Sequence, residues 1–288
     1  MMHELRTIRR LRPLLGTWVE IRATGRAGRV ERAVASAFLH LARVQQRMSF
    51  HAPDSVLSRV NLHAHRSPQV VDAWTWDVLR KARAVSRASE DCFDITLGAQ
   101  LVALGVLPDH GFATLNAPNG SDAVVLLPGR RVALRRPVLL TLDGIAKGYA
   151  VDRAIQCLQR AGVEQAVVNA GGDLRVSGPQ PTPLAIRDAR GAIQEAGLLR
   201  NAAVASSALG LDEADRERFP GCVLHPSRPA AIDRRPQVWT VQAAQCWRAD
   251  ALTKVAALAA PERRHALISR LGGSILPHGQ RSAQGNAA

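Results

Sequence analysis

Cysteine is scarce and dispersed. Cys92, Cys157, Cys222 and Cys246 stand far apart and form no C-x-x-C pair, so neither a disulfide framework nor a cysteine zinc site is indicated. Aromatic residues make up only 4% of the chain, and lysine occurs three times, at Lys81, Lys147 and Lys254. No stretch approaches the ~18–20 apolar residues that a membrane span needs. The opening MMHELRTIRRLRPLLGTWVEI carries positive charge without an apolar segment of signal-peptide length, so the reading expects no membrane span, no export signal and a cytoplasmic protein. Neither G-x-x-x-x-G-K-[ST] nor G-x-G-x-x-G occurs, which excludes a Walker loop and a dinucleotide fingerprint. No G-x-S-x-G elbow surrounds Ser206-Ser207, so that pair reads as strand-end hydroxyls.

What is present is an ordinary globular composition, 47% hydrophobic and 22% charged over 288 residues. The net charge of +14 comes almost wholly from arginine. Those arginines are scattered rather than gathered into a basic run interleaved with aromatics, so no specific nucleic-acid partner is expected.

Alternation after Thr17 predicts a strand over 14–23, and Val34, Ala37, Phe38, Leu41 and Val44 predict a helix over 30–46. Further helices are expected at 55–61, opened by Asp54 or Ser55, and from Asp72 to Ser89. Strands are expected at 123–127, 131–134, 138–142, 165–169, 174–177, 184–187, 197–199, 202–206 and 238–243. Helices are expected at 144–161, 249–259 and 261–271, and loops at 108–121 and 213–235. Helices cluster early and strands in the middle, the pattern of an α+β fold with mixed or antiparallel sheets and packed helices in one compact unit. The expected organisation is an extension over 1–13, a domain over 14–276 and a disordered tail over 277–288.

Four features could converge on one ligand. In Asp143-Gly144-Ile145-Ala146-Lys147-Gly148, two glycines allow close backbone approach, a helix start offers N–H groups to an anion, and Lys147 could meet a phosphate. The others are Phe93-Asp94-x-Thr96, Asn169-x-Gly171-Gly172-Asp173 and the segment around Asp250. Asp250 suits either a helix N-cap or a hard-cation ligand. Asp173 suits a turn or a ligand, and Asp94 suits a cap. His63 and His65 read as surface histidines, and Cys222 with His225 lacks an orienting partner.

In this order the motifs resemble the FAD:protein FMN transferase family, the ApbE-like flavin transferases. The pieces are Leu15-Gly16-Thr17, Met48-Ser49 with Pro53-Asp54-Ser55 and Ser58-Arg59-Val60-Asn61, Phe93-Asp94-Ile95-Thr96-Leu97-Gly98, Gly144 through Asp152, Val168 through Arg175, Val204-Ala205-Ser206-Ser207, and Ala249-Asp250-Ala251-Leu252. The resemblance implies a flavin-binding α+β fold. It also implies a Mg²⁺-dependent transfer of FMN from FAD to a Thr or Ser hydroxyl of a target protein, with release of AMP. By position it implies Gly144 and Asp250 as metal ligands. It places Leu15, His51, Cys92, Phe93, Asp94, Thr141, Lys147, Asn169, Gly171, Gly172 and Asp173 along FAD, with Lys147 and His225 catalytic. Three positions depart from the family pattern. Lys254 replaces a threonine, and either weakens the metal site or sets its own charge against the diphosphate. Cys222 and His225 replace a histidine and an aspartate, and Asp143 stands where glycine is common. These departures also leave open a flavin-binding relative that carries or hydrolyses FAD.

Overall fold

The computed structural model describes residues 4–112, 117–209, 223–226 and 237–277. Cys222, nearly all of the expected 213–235 loop, and the expected tail beyond residue 277 lie outside the described residues.

Leu5–Leu14 (β1) and Thr17–Arg26 (β2) pair antiparallel, Leu5 opposite Arg26 through to Leu14 opposite Thr17. Residues 1–13 were read as an extension, yet most of them form an edge strand of the main sheet. Only Ile8 of β1 is buried, and four arginines occupy the strand, so its sequence carries no apolar alternation. The joining pair, Leu15 and Gly16, both have positive φ, 58° and 69°, as a two-residue hairpin turn with strand-matching twist requires. Gly16 takes that geometry freely, whereas Leu15 is strained there. The Leu15 N–H donates to Gln45 Oε1 at 2.6 Å, which holds the turn.

Arg29–Met48 (α1) buries Val34, Ala37, Phe38, Leu41 and Val44 as their spacing predicts. Val56–His63 (α2) is capped by Ser55, whose hydroxyl accepts the Ser58 N–H, and Ala73–Ala88 (α3) is capped by Asp72. A small sheet joins Gln69–Val70 (β3), Val124–Leu127 (β4) and Arg131–Leu134 (β5) in the order β3-β5-β4. Gly98–Ala103 (α4) is a short helix inside the apolar run. The expected strand at 138–142 does not form. Instead Asn61 supplies a side-chain substitute for a neighbouring strand, donating Nδ2–H to the Leu140 carbonyl at 3.0 Å and accepting the Leu140 N–H at 2.8 Å.

Ala146–Arg160 (α5) leads to Gln165–Ala170 (β6), Asp173–Ser177 (β7), Thr182–Arg187 (β8), Ile193–Leu199 (β9), Ala203–Leu209 (β10) and Gln237–Ala243 (β11). Cys246–Leu258 (α6), Pro261–Arg270 (α7) and Gly273–Leu276 (β12) close the described chain. The large sheet runs β1-β2-β6-β7-β10-β11-β12, antiparallel throughout, and β8-β9 forms a separate hairpin. One apolar core joins the first two strands, α1–α3, α5 and α6, so the fold is α+β in one unit.

Helices α5 and α6 cap each other. Asp152 of α5 accepts the first two N–H groups of α6, from Cys246 at 3.0 Å and Trp247 at 2.9 Å, while Arg175 pairs with it at 2.5 Å. In return Asp250 of α6 accepts the Gly148 N–H in the first turn of α5, at 3.1 Å. Two helix starts therefore meet, and each satisfies donors of the other. Asp250 is thus no N-cap of its own helix: it sits in the second turn of α6, fully buried.

Candidate active site

A cavity of about 1650 Å³ lies between the sheet, the start of α5, the later turns of α6 and the loop over 92–97. Leu15, His51, Cys92, Phe93, Asp94, Thr141, Gly144, Lys147, Asn169, Gly171 and Gly172 all line it, so the structure brings these separated motifs onto one surface. Asp173 and Asp250 lie directly behind that surface, buried. His225 is not among the lining residues, although Val223 and Leu224 are.

The glycine motif and the first hairpin meet here. Asn169 Oδ1 accepts the Gly172 N–H at 3.0 Å and closes the turn over 169–173. Gly171 has φ +62°, and a Cβ there would stand 2.6 Å from Thr17 Oγ1, so Leu15-Gly16-Thr17 and Asn169-x-Gly171-Gly172-Asp173 are packed as one wall. Asp94 Oδ1 accepts both the N–H and the hydroxyl of Thr96 at 2.8 Å, fixing the turn before α4 rather than capping the helix itself. Burial pushes the Asp94 carboxyl up and, likewise, the Cys92 thiol up, so Cys92 is protonated and inert at neutral pH.

The backbone at the start of α5 is less available than its sequence suggests. The N–H groups of Ile145 and Ala146 go to Leu142 O, and that of Gly148 goes to Asp250. The electropositive element is therefore the side chain of Lys147. Its ammonium stands 3.6 Å from Asp173 Oδ2 with the side chain 37% exposed. Asp173 first, and Asp250 after it, hold Lys147 firmly protonated. Asp173 is itself pushed up to about 6, by burial and then by the neighbouring charge of Asp250. Its Oδ2 accepts no hydrogen bond, so Asp173 is a buried countercharge rather than a turn residue.

Gly144 and Asp250, the positions implied for Mg²⁺, are bridged by a side chain. Lys254 Nζ lies 2.5 Å from Asp250 Oδ1 and 3.2 Å from the Asp250 carbonyl. A Cβ on Gly144 would meet Lys254 Cε at 3.4 Å and Phe93 Cε2 at 3.2 Å, so the lysine stem runs across the face of Gly144. Oδ2 is given to Gly148, so each carboxylate oxygen already accepts a hydrogen bond. A dication about 4 Å from an ammonium is repelled by about 8 kcal/mol at an effective dielectric constant of 20. Mg²⁺ does not fit between these residues as arranged.

One further contributor was not singled out in the sequence. The β8-β9 turn brings Arg187, Asp188 and Arg190 to the cavity. Its signal was Arg187-Asp188-x-Arg190-Gly191 between two strands, where Asp188 Oδ1 accepts the N–H groups of Arg190 and Ala192 at 2.9 Å. Ser206 and Ser207 also line the cavity, with hydroxyls paired to Thr240 at 2.8 Å and Thr253 at 2.6 Å. They are the satisfied strand hydroxyls expected.

Proteins of similar sequence and fold are known. The chain is 30% identical over 147 residues to an FAD:protein FMN transferase of Vibrio cholerae serotype O1, a stretch covering 48% of this chain and 44% of that protein. It is 29% identical over 191 residues to one from Rhodobacter capsulatus, covering 61% of this chain and 36% of that protein. The matches thus span half or less of these relatives' length. The fold superposes on the apo form of Pseudomonas stutzeri flavinyl transferase ApbE with a TM-score of 0.79 and 23% identity, covering 97% of this chain and 94% of that one. On the Vibrio cholerae flavin transferase ApbE the TM-score is 0.75, with 23% identity and coverage of 93% and 91%. Because the ApbE family model matches residues 15–275, from the Leu15 turn that opens the cavity wall to the last strand of the sheet, this chain belongs to the ApbE family.

Proposed function

We propose that this chain transfers FMN from FAD to a Thr or Ser hydroxyl of a target protein. The supporting observation is the cavity itself: one surface joins ten of the positions expected along FAD with Gly144, and Lys147 and Lys254 both line it. Its volume, about 1650 Å³, exceeds the roughly 300–1,000 Å³ of common small-ligand pockets, which suits an extended dinucleotide with access for a second reactant.

In the reaction, the acceptor oxygen bonds to the phosphorus of the FMN half, and the bond from that phosphorus to the AMP oxygen breaks. The hydroxyl proton leaves to a base. Catalysis of phosphoryl transfer is mostly positioning and charge stabilisation, and here Lys147 serves the second role because its protonation is secured by Asp173. Asp143 lines the cavity, where burial pushes its carboxyl above the ordinary carboxylate range, and we assign it the proton that the resemblance had given to His225.

A second reading, an FAD-binding relative that carries or hydrolyses FAD, is favoured by the position of His225 outside the cavity lining. One assay separates the two. Purified protein, FAD and a flavinylation-competent acceptor domain are mixed, and in-gel flavin fluorescence and acceptor mass are followed. Transfer predicts an acceptor mass gain of one FMN. FAD binding with an unmodified acceptor would leave the second reading standing.

A further inference from the structure

We infer that Lys254 is a tethered cation seated where a divalent metal would otherwise contact Asp250, so that this chain binds the FAD diphosphate with two side-chain ammoniums and without metal at that carboxylate. The inference rests on the FAD reading above and adds the source of the compensating charge.

Three observations carry it. Asp250 is fully buried, and both its oxygens are engaged, Oδ1 by Lys254 at 2.5 Å and Oδ2 by the Gly148 N–H at 3.1 Å. The lysine stem lies along Gly144, the other implied ligand, so one side chain fills the gap between the two positions. Lys254 also lines the cavity and keeps 18% of its side chain exposed. Lys254 therefore borders the ligand side while its ammonium is held on Asp250 one helical turn away, a spacing that brings i and i+4 side chains together.

The test measures metal and FAD binding rather than turnover. Mn²⁺ uptake is read by electron paramagnetic resonance, and FAD affinity by flavin fluorescence in EDTA and in Mg²⁺. The wild type is expected to bind FAD equally in both media and to take up no Mn²⁺ that Asp250→Asn removes. In Lys254→Thr, FAD affinity in EDTA should fall about 10- to 100-fold, the range for losing a charge-assisted contact, and Mg²⁺ should restore it. Lys254→Met should lose the same affinity with no rescue by Mg²⁺. Circular dichroism melts establish that each variant folds, and if neither does, the wild-type arms alone decide.

Wild-type protein that loses FAD in EDTA, or that binds Mn²⁺ in an Asp250-dependent manner, overturns the inference. If no form binds FAD, the functional reading fails separately. The Mn²⁺ comparison still decides the seat, since equal uptake by wild type and Lys254→Thr refutes a lysine that excludes the metal.

Discussion

Replacing Gly148 with alanine tests whether the meeting of the two helix starts holds the site together. A Cβ at this position would collide with the Cys246 carbonyl oxygen and stand 2.6 Å from its carbon and 2.8 Å from the Trp247 nitrogen. All three are backbone atoms, so no side-chain rotation relieves the clash, and α5 and α6 must part. Overpacking of this kind costs about 1–3 kcal/mol. Parting the helices also lengthens the bonds from Asp152 to Cys246 and Trp247 and from Gly148 to Asp250, at about 1 kcal/mol for a lost cap. Alanine returns about 0.5–1 kcal/mol of helix propensity. The balance is about 2 kcal/mol, equivalent to a fall in Tm of roughly 4–8 °C for a chain of this size. Thermal melts of wild type and Gly148→Ala measure it. Gly144→Ala is the control, because its Cβ meets only side-chain atoms of Phe93 and Lys254, at 3.2 Å and 3.4 Å. A Gly148→Ala protein that melts at or above the wild-type temperature would refute the close helix contact and the pairing of Asp250 with α5.

Asn61→Ala should destabilise by about 2–4 kcal/mol in denaturant melts, because it orphans two buried backbone groups of Leu140. Asp152→Ala removes the carboxylate from a buried pair with Arg175 and uncaps α6, so a loss of about 3–5 kcal/mol is expected by the same measurement. Asp173 gives a pH signature: its folded pKa of about 6 lies above the ordinary 3.8, so its protonated form favours folding. Stability from this group is full below about pH 4 and lost as pH rises through about 6, up to about 3 kcal/mol. The difference in unfolding free energy between wild type and Asp173→Asn should carry that slope. A difference flat from pH 4 to 7 would mean that Asp173 is not buried beside Asp250.

Legibility followed the range over which each cause acts. Helix α1 was readable because its apolar stripe, Val34 to Val44, is a local period. The alternation after Thr17 similarly marked β2. Edge strand β1 was not readable, since Arg6, Arg9, Arg10 and Arg12 leave it without a buried face, and only pairing with β2 makes it a strand. The stretch at 138–142 misled for the opposite reason: it is buried and extended, but it makes only an isolated bridge with 95–98, and Leu140 is paired by a side chain, Asn61, from 79 residues away. The site shows the same division. Its wall positions were legible as motifs, and eleven of them do line the cavity. Their charge states were not, because those depend on burial and on contacts between separate segments, as where Asp173 holds Lys147 protonated and Asp250 raises Asp173. The Lys254–Asp250 contact is the instructive intermediate. Its i,i+4 spacing is visible in the sequence, yet that spacing alone describes a solvent-exposed pair of little consequence. Only the burial of Asp250 and the stem lying across Gly144 show that this pair sits at the cavity rather than in solvent.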